Sequence, residues 1–321
     1  MAAADLGVSF IVPVYNKAPY LPAVLTAIRA QRGDFRRHHV FIDDGSTDDS
    51  LAIVRRLTAD WPDTVIESQP NRGSTHANNR GIALATQPYI KIVDADDLLA
   101  WDATRVLLDA LAPSDACLAY GDCVRYGPDE TIDLAAPLPA VPAVERLSAP
   151  LKLALKNSLF NPTQFLARTE CVRAVGGCDE RLRYSQDYTL TLRLARRWDF
   201  LKVAAPVAYL PREVPGRISN NPGRQLQRVT LACANFLRDY PDTPAELKRF
   251  ACHRAAGRAW KFARRNLGAS HFSLWYRRDL QSRLGMMGDP VAFIEGCARV
   301  YEHAPQMPLR SQTEIGVFSD S

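Results

Sequence analysis

The chain has 321 residues and 35.7 kDa, and its 47% hydrophobic and 23% charged residues exclude a disordered, collagen-like or disulfide-knotted protein. No run approaches the roughly 18 to 20 apolar residues of a bilayer span, and the opening Met1 to Gly7 lacks the basic start and apolar stretch of a secretory leader, so a cytoplasmic location is expected. The net charge of +5 conceals a polarity: residues 1–150 carry 13 Lys and Arg against 20 Asp and Glu, and residues 151–321 carry 27 against 15.

In chain order, Val8 to Val14 is a continuous apolar run, followed by Leu21, Val24, Leu25 and Ile28. That spacing predicts a buried strand and then a helix with one apolar face. Val40 to Ile42 predicts a second strand. It runs into Asp43-Asp44-Gly45-Ser46-Thr47-Asp48-Asp49-Ser50, where Ser46 or Thr47 is the expected cap of a helix carrying Leu51, Val54 and Leu57. Thr64 to Glu67 reads as a short strand, Ser74 to Ala85 as a helix, and Tyr89 to Val93 as a strand stopping at Asp94-Ala95-Asp96-Asp97. This alternation is the rhythm of an open α/β sheet.

Beyond Asp97 a helix is expected from Trp101 to Leu111 and a strand around Cys117 to Tyr120. The proline-rich stretch from Pro137 to Pro150 reads as an irregular connection. Phe165 to Ala167, a turn at Gly176-Gly177, the amphipathic segment Tyr188 to Arg196 and a strand from Leu201 to Leu210 continue the same domain. From Gln225 the pattern becomes helical to about Tyr301. The expected organisation is therefore an α/β domain over 1–223 and a basic helical region over 224–321. Seven scattered cysteines without a Cys-x-x-Cys pair argue against a zinc site and read as reduced packing residues.

In an open α/β sheet, ligands gather beyond the carboxyl ends of the strands. Three strands end here in Pro13-Val14-Tyr15-Asn16, Asp43-Asp44-Gly45-Ser46 and Asp94-Ala95-Asp96-Asp97, which directs an aromatic ring and several carboxylates to one edge. Neither common glycine-rich phosphate loop occurs. Two carboxylates one residue apart suit a hard divalent cation such as Mg2+ or Mn2+, which could carry a phosphate into an otherwise repulsive site. Taken alone, Asp-x-Asp serves equally well to end a strand and cap the next helix.

The motifs Val8-Ser-Phe-Ile-Val-Pro-Val-Tyr-Asn16, Ile42-Asp-Asp-Gly-Ser-Thr-Asp-Asp49, Asn71-Arg-Gly73 leading to Asn79-Arg-Gly-Ile82, Tyr89-Ile-Lys-Ile-Val-Asp-Ala-Asp-Asp97, and Val175-Gly-Gly-Cys-Asp-Glu180 leading to Ser185-Gln-Asp187 resemble family 2 glycosyltransferases. The resemblance covers residue 8 to about 200. It implies a GT-A (Rossmann-like) fold, an open twisted mixed sheet flanked by helices, with the C-terminal helices as an appendage. It implies an inverting enzyme that uses a nucleoside-diphosphate sugar, with Pro13, Tyr15, Asn16, Asp44 and Asn78 at the donor, and Asp94 with Asp96 as the Asp-x-Asp pair holding Mn2+ or Mg2+. Asp187 is implied as the base: a carboxyl group with a reference pKa of about 3.9 is ionised at neutral pH and can accept the proton of an attacking hydroxyl. Arg217, in the Pro211 to Gly223 loop, is a candidate pyrophosphate contact.

The chain departs from the family in having Gln186-Asp187 for the commoner Glu-Asp and Ala77-Asn78-Asn79 for Ala-Arg-Asn, and no His stands between His76 and His253. The basic peak between Lys248 and Arg283, with ten Lys or Arg opposed only by Asp279, suits an anionic surface and equally a solvated helical face; a glycan or lipid-linked acceptor and an anionic membrane surface are the expected partners. No nucleic acid is expected. Leu247 to Leu267, which mixes Phe250, Trp260 and Phe262 with seven Lys or Arg, is the segment considered for membrane contact. The alternatives are a phosphatase of the haloacid dehalogenase type, which also places Asp-x-Asp after a strand, and a non-catalytic nucleotide-sugar binding protein.

Overall fold

A computed structural model of the chain describes residues 6–214 and 221–302. Two compact units are present, Met1–Pro211 and Arg212–Ser321. The first opens with β1 (Gly7–Val14), α1 (Leu21–Arg29), β2 (Arg36–Asp43), α2 (Ser50–Leu57), β3 (Thr64–Ser68), α3 (Ser74–Leu84) and β4 (Tyr89–Ile92). It continues with β5 (Leu98–Leu99), α4 (Ala103–Leu111), β6 (Leu118–Tyr126), β7 (Val144–Leu147), α5 (Leu151–Lys156), β8 (Phe165–Arg168), α6 (Thr169–Ala174), α7 (Gln186–Ala195) and β9 (Phe200–Pro211).

These strands form one nine-stranded sheet in the order β3-β2-β1-β4-β8-β6-β9-β5, with β7 added against β9. The first four pair in parallel. β8 then runs antiparallel to both β4 and β6, so the sheet is mixed as expected. Alternation along β1 explains its apolar run, which only Ser9 interrupts: Val8, Phe10, Val12 and Val14 join a core with Leu21, Val24, Leu25 and Ile28 of α1. Ile11, on the opposite face, lies against Gly81 of α3. A strand covered on both faces has no polar side to show in its sequence.

Two elements differ from expectation. The proline-rich stretch is not wholly irregular, because β7 lies within it and pairs antiparallel with β9 from Val144↔Val203 to Leu147↔Phe200. Neither Ser46 nor Thr47 caps α2; that helix starts at Ser50 behind Asp49, and Ser46 Oγ instead accepts the Asn16 amide at 3.1 Å.

The second unit contains α8 (Pro222–Asp239), α9 (Ala245–Asn266), α10 (Leu274–Arg283) and α11 (Pro290–Ala298). Asn221, Ser273 and Asp289 each cap the following helix with a side-chain oxygen, satisfying amides that a helix start leaves open. Trp260 and Phe262 of α9 are buried, Trp260 against His271 and Tyr276 and Phe262 against Tyr301. They are packing residues of this unit, and the contact considered for Leu247 to Leu267 loses its two largest apolar groups. Among the described residues, no helix is long and apolar enough to cross a membrane. All seven cysteines are free thiols.

Candidate functional site

The strand order reverses beside β1, whose neighbours are β2 on one side and β4 on the other, and such a reversal opens a crevice beyond the carboxyl ends of the strands. The register there is tight. Val14 lies opposite Asp43, the Asp44 amide donates to Val14 O at 2.8 Å, and the Val93 amide donates to Ile11 O at 2.9 Å. Residues 15–18, 43–50 and 93–97 therefore leave the sheet side by side.

The loop after β1 turns at Asn16, whose φ of 51° is left-handed, a conformation asparagine tolerates better than most residues. Asn16 Oδ1 accepts the Thr47 amide at 2.8 Å, and the Lys17 amide donates to Ser50 Oγ at 2.8 Å. Tyr15 is left half-exposed beside half-buried Pro13. Across the crevice, Lys17 Nζ reaches Asp96 Oδ2 at 2.7 Å, with the two side chains 20% and 6% exposed.

Asp44 is buried and densely bonded: Gln69 Nε2 donates to Oδ1 at 2.8 Å, the Arg72 amide to Oδ1 at 2.9 Å and the Gly73 amide to Oδ2 at 2.7 Å. A carboxylate offers about four acceptor positions, so one is open to another donor. Asp43 accepts from Ser68 Oγ at 2.8 Å and from the Ser46 amide at 3.2 Å. Gly73, at φ 96°, must be glycine twice over, since a Cβ there would also stand 2.6 Å from Arg183 O. That approach joins α3 to the segment carrying Asp187. The Thr75 amide donates to Arg183 O, Thr75 Oγ1 to Leu182 O at 2.6 Å, and Ser74 Oγ to Gln186 Oε1 at 2.8 Å.

Asp187 sits half-buried in the first turn of α7, where the helix dipole favours a negative charge. The turn is entered through Ser185 in the left-handed region at φ 75°, a conformation that costs about 1 kcal/mol or more for a residue with a side chain. A run of bonded neighbours thus leads from Asp96 through Lys17, Asn16, Ser46, Asp43, Asp44, Gly73 and Ser74 to Gln186 beside Asp187.

Asp94 is half-buried and Asp96 buried. Their loop is braced from beneath: Thr163 Oγ1 accepts the Asp94 amide at 3.1 Å and donates to Asp97 Oδ2 at 2.8 Å. Lys91 of β4, fully buried, donates to Thr163 O at 2.5 Å and Phe165 O at 3.1 Å. Burial lowers its pKa to about 7, since a low-dielectric interior disfavours the charged amine. Asn78 is also fully buried. It donates through Nδ2 to Ser74 O at 2.8 Å, and its Oδ1 has no hydrogen-bond partner. His76 pairs with Glu180 at 3.0 Å. Arg217 lies outside the described residues.

Among the described residues, no group of three or more His, Cys, Asp or Glu could enclose a metal ion. Asp94 and Asp96 nevertheless suit the Mg2+ mode of binding, in which one or two carboxylates are completed by water and substrate phosphates. In this structure the Asp96 carboxylate meets the Lys17 ammonium.

Lys17, Thr163, Lys91 and Gln69 were not singled out by the sequence. Only Lys91 left a signal there, a lone cation inside the apolar strand Tyr89–Ile92.

The model of the family described as glycosyl transferase family 2 matches residues 9–176, just over half of the chain. A PGL/p-HBAD biosynthesis glycosyltransferase of Mycobacterium bovis (strain BCG / Pasteur 1173P2) is 36% identical over 122 residues, 36% of this chain and 46% of that protein. Glycosyltransferase GlyG of Streptococcus pneumoniae serotype 4 is 31% identical over 120 residues, 37% of this chain and 40% of that protein. The chain thus spans less than half the length of these two curated relatives. Among solved structures, S. aureus TarS 1-349 in complex with UDP-GlcNAc aligns with a TM-score of 0.60 and 17% identity, over 92% of this chain and 83% of that one. The mannosyltransferase PcManGT from Pyrobaculum calidifontis, in complex with GDP-Man and Mn2+, aligns with a TM-score of 0.53 and 21% identity, over 92% and 84%.

Proposed function

Because the chain belongs to glycosyl transferase family 2 and has a GT-A-like fold, we propose that it moves a sugar from a nucleoside-diphosphate sugar to an acceptor hydroxyl with inversion. The bonded rim from Asp96 to Gln186 carries this reading, because it ties the Asp-x-Asp loop to the helix bearing Asp187 along the ends of β1, β2 and β4. The two solved neighbours, in complex with UDP-GlcNAc and with GDP-Man and Mn2+, support the donor class. The family match also runs through residues 9–93, which a haloacid-dehalogenase-type phosphatase leaves unexplained.

In this reading the Tyr15 ring and Pro13 border the nucleotide base, and the open acceptor position of Asp44 takes a hydrogen bond from it. Asn16 holds the loop that presents them, and Asn78 supports the first turn of α3 from within. Asp94 and Asp96 would hold Mn2+ or Mg2+, which when bound supplies Lewis-acid stabilisation of the charge on the departing diphosphate. Arg217 remains a candidate contact to that diphosphate on sequence grounds. Asp187 accepts the proton of the acceptor hydroxyl as its oxygen bonds to the anomeric carbon. The bond from that carbon to the diphosphate oxygen breaks on the opposite face, leaving the product inverted. The acceptor is proposed to be a glycan or lipid-linked glycan of polysaccharide, lipopolysaccharide or glycolipid synthesis, met at the cytoplasmic surface of an anionic membrane.

The test pairs a transfer assay with calorimetry of nucleoside diphosphates, with and without Mn2+. Asp187→Asn is expected to lower transfer by about 10^2 to 10^4 and to leave nucleotide affinity unchanged. Asp96→Ala is expected to weaken nucleotide binding only when Mn2+ is present. Parallel loss of binding and transfer in Asp187→Asn would contradict the role given to it.

A further inference from the structure

A surface helix ordinarily turns its leucines inward and its charges outward. α10 does the reverse. Its buried residues are Asp279 and Ser282, while Leu274, Leu280 and, just past its end, Leu284 are exposed. At about 100° per residue, Leu274, Arg277, Gln281 and Leu284 form one outward stripe with Leu280 beside it. The flanking loops add Phe272, 87% exposed, and Met286, 67% exposed.

The inversion is built in. Arg283 Nε pairs with Asp279 Oδ2 at 2.9 Å, Ser282 Oγ donates to Asp279 O at 2.6 Å, and His253 Nδ1 of α9 lies 3.1 Å from Ser282 Oγ. The Asp279 carboxylate faces Gly257 of α9, where a Cβ would stand 3.6 Å from it, an ordinary contact distance. The first two contacts lie within α10; the third crosses to α9, and rotating the helix to bury its leucines would break it.

We propose that the face made by α10 and its flanking loops lies on an anionic phospholipid bilayer, with Phe272, Leu274, Leu280, Leu284 and Met286 entering the headgroup boundary. Charge selects this occupant. Residues 261–289 contain six Lys or Arg, of which Lys261, Arg264, Arg265, Arg277 and Arg283 are exposed, against Asp279, which is buried and paired with Arg283, and Asp289, which caps α11. Apolar groups beside such an excess of basic residues match anionic lipid, where aliphatic and aromatic side chains sink in and arginine stems extend to the phosphates. The proposal deepens the membrane-surface part of the transferase reading and moves the contact from the buried aromatics of α9 to α10. It does not need the transfer chemistry.

Flotation of the full chain with phosphatidylcholine vesicles, with and without phosphatidylglycerol and at low and high salt, tests it. The protein should float only with phosphatidylglycerol and sink as salt rises. Phe272→Ser with Leu284→Ser should weaken binding about tenfold or more. Arg264→Gln with Arg277→Gln should weaken it roughly thirtyfold, at about fivefold per cation lost. Failure of the native chain to float, equal binding to neutral vesicles, or unaltered binding of both variants would overturn the proposal. So would a native dimer in light scattering that the Phe272/Leu284 variant converts to monomer, since a second copy would then own the face. A thermal shift with nucleoside diphosphate, run on every variant, reports an intact fold. It also separates the two readings, because flotation without any nucleotide response would leave this proposal standing and remove the transferase one.

Discussion

Replacing Lys17 by Met removes the cation that faces Asp96 and keeps most of the side chain's bulk. At the observed 2.7 Å, the direct attraction is about 6 kcal/mol for an effective dielectric near 20, but dehydration of both groups cancels much of it. Stranding one member of a buried pair costs about 3 to 5 kcal/mol. Asp96 keeps further interactions and Lys17 is 20% exposed, so water reaches it, and the loss expected falls below that range, near 2 to 3 kcal/mol. In a unit of this size each kcal/mol moves the melting midpoint by roughly 2 to 4 °C, so Lys17→Met should melt about 4 to 12 °C lower in the absence of divalent cations. The same vacancy should make the variant bind Mn2+ alone more tightly than the native chain, by about tenfold or more, because no ammonium has to be displaced from Asp96. Differential scanning fluorimetry in chelator and Mn2+ calorimetry without nucleotide would read both effects. An unchanged midpoint in chelator, or weaker Mn2+ binding by the variant, would refute the reasoning.

The buried amine of Lys91 predicts a pH effect. Its pKa is lowered from 10.5 to about 7 by burial, so between those values the unfolded chain holds a proton that the folded chain lacks, and stability rises with pH across that window. Relative to Lys91→Met, the native chain should gain about 2 to 3 kcal/mol from pH 7 to pH 9 in urea unfolding; a difference independent of pH would sink the assignment. Asp44→Asn replaces one acceptor oxygen with a donor opposite the amides of Arg72 and Gly73. It should cost about 1 to 3 kcal/mol and loosen residues 71–75, seen as faster amide exchange there; protection equal to that of the native chain would contradict the clamp.

The parallel half of the sheet was legible because strands covered on both faces have to be largely apolar, and Val8 to Val14, Val40 to Ile42 and Tyr89 to Ile92 are, with Ser9 and Lys91 as the exceptions. β7 was not. Val144, Glu145 and Arg146 are exposed, and what makes them a strand is the edge of β9, a partner distant in sequence. β5, two residues long, offers no period to read. The carboxylates stood out because each ends a strand, where polar residues need a reason. Lys17 and Thr163 did not, since nothing in their neighbours' identities foretells that they meet Asp96 and Asp97 across the crevice. Asn78 illustrates the converse: its place in the family motif suggests a ligand contact, while the folded helix encloses it completely.

β4 borders β1 on one edge and β8 on the other, and β8 is made long after β4 has left the ribosome. A growing chain that has formed its first four strands therefore presents the β4 edge bare, an apolar template on which a neighbouring nascent chain could add. The carbonyls of Thr163 and Phe165, which receive the Lys91 amine in the finished protein, do not yet exist at that moment. The amine is then hydrated and charged, and a charged side chain on an open strand is one of the features that discourage such pairing. The charge that burial suppresses in the mature protein is thus fully expressed while the β4 edge lies open.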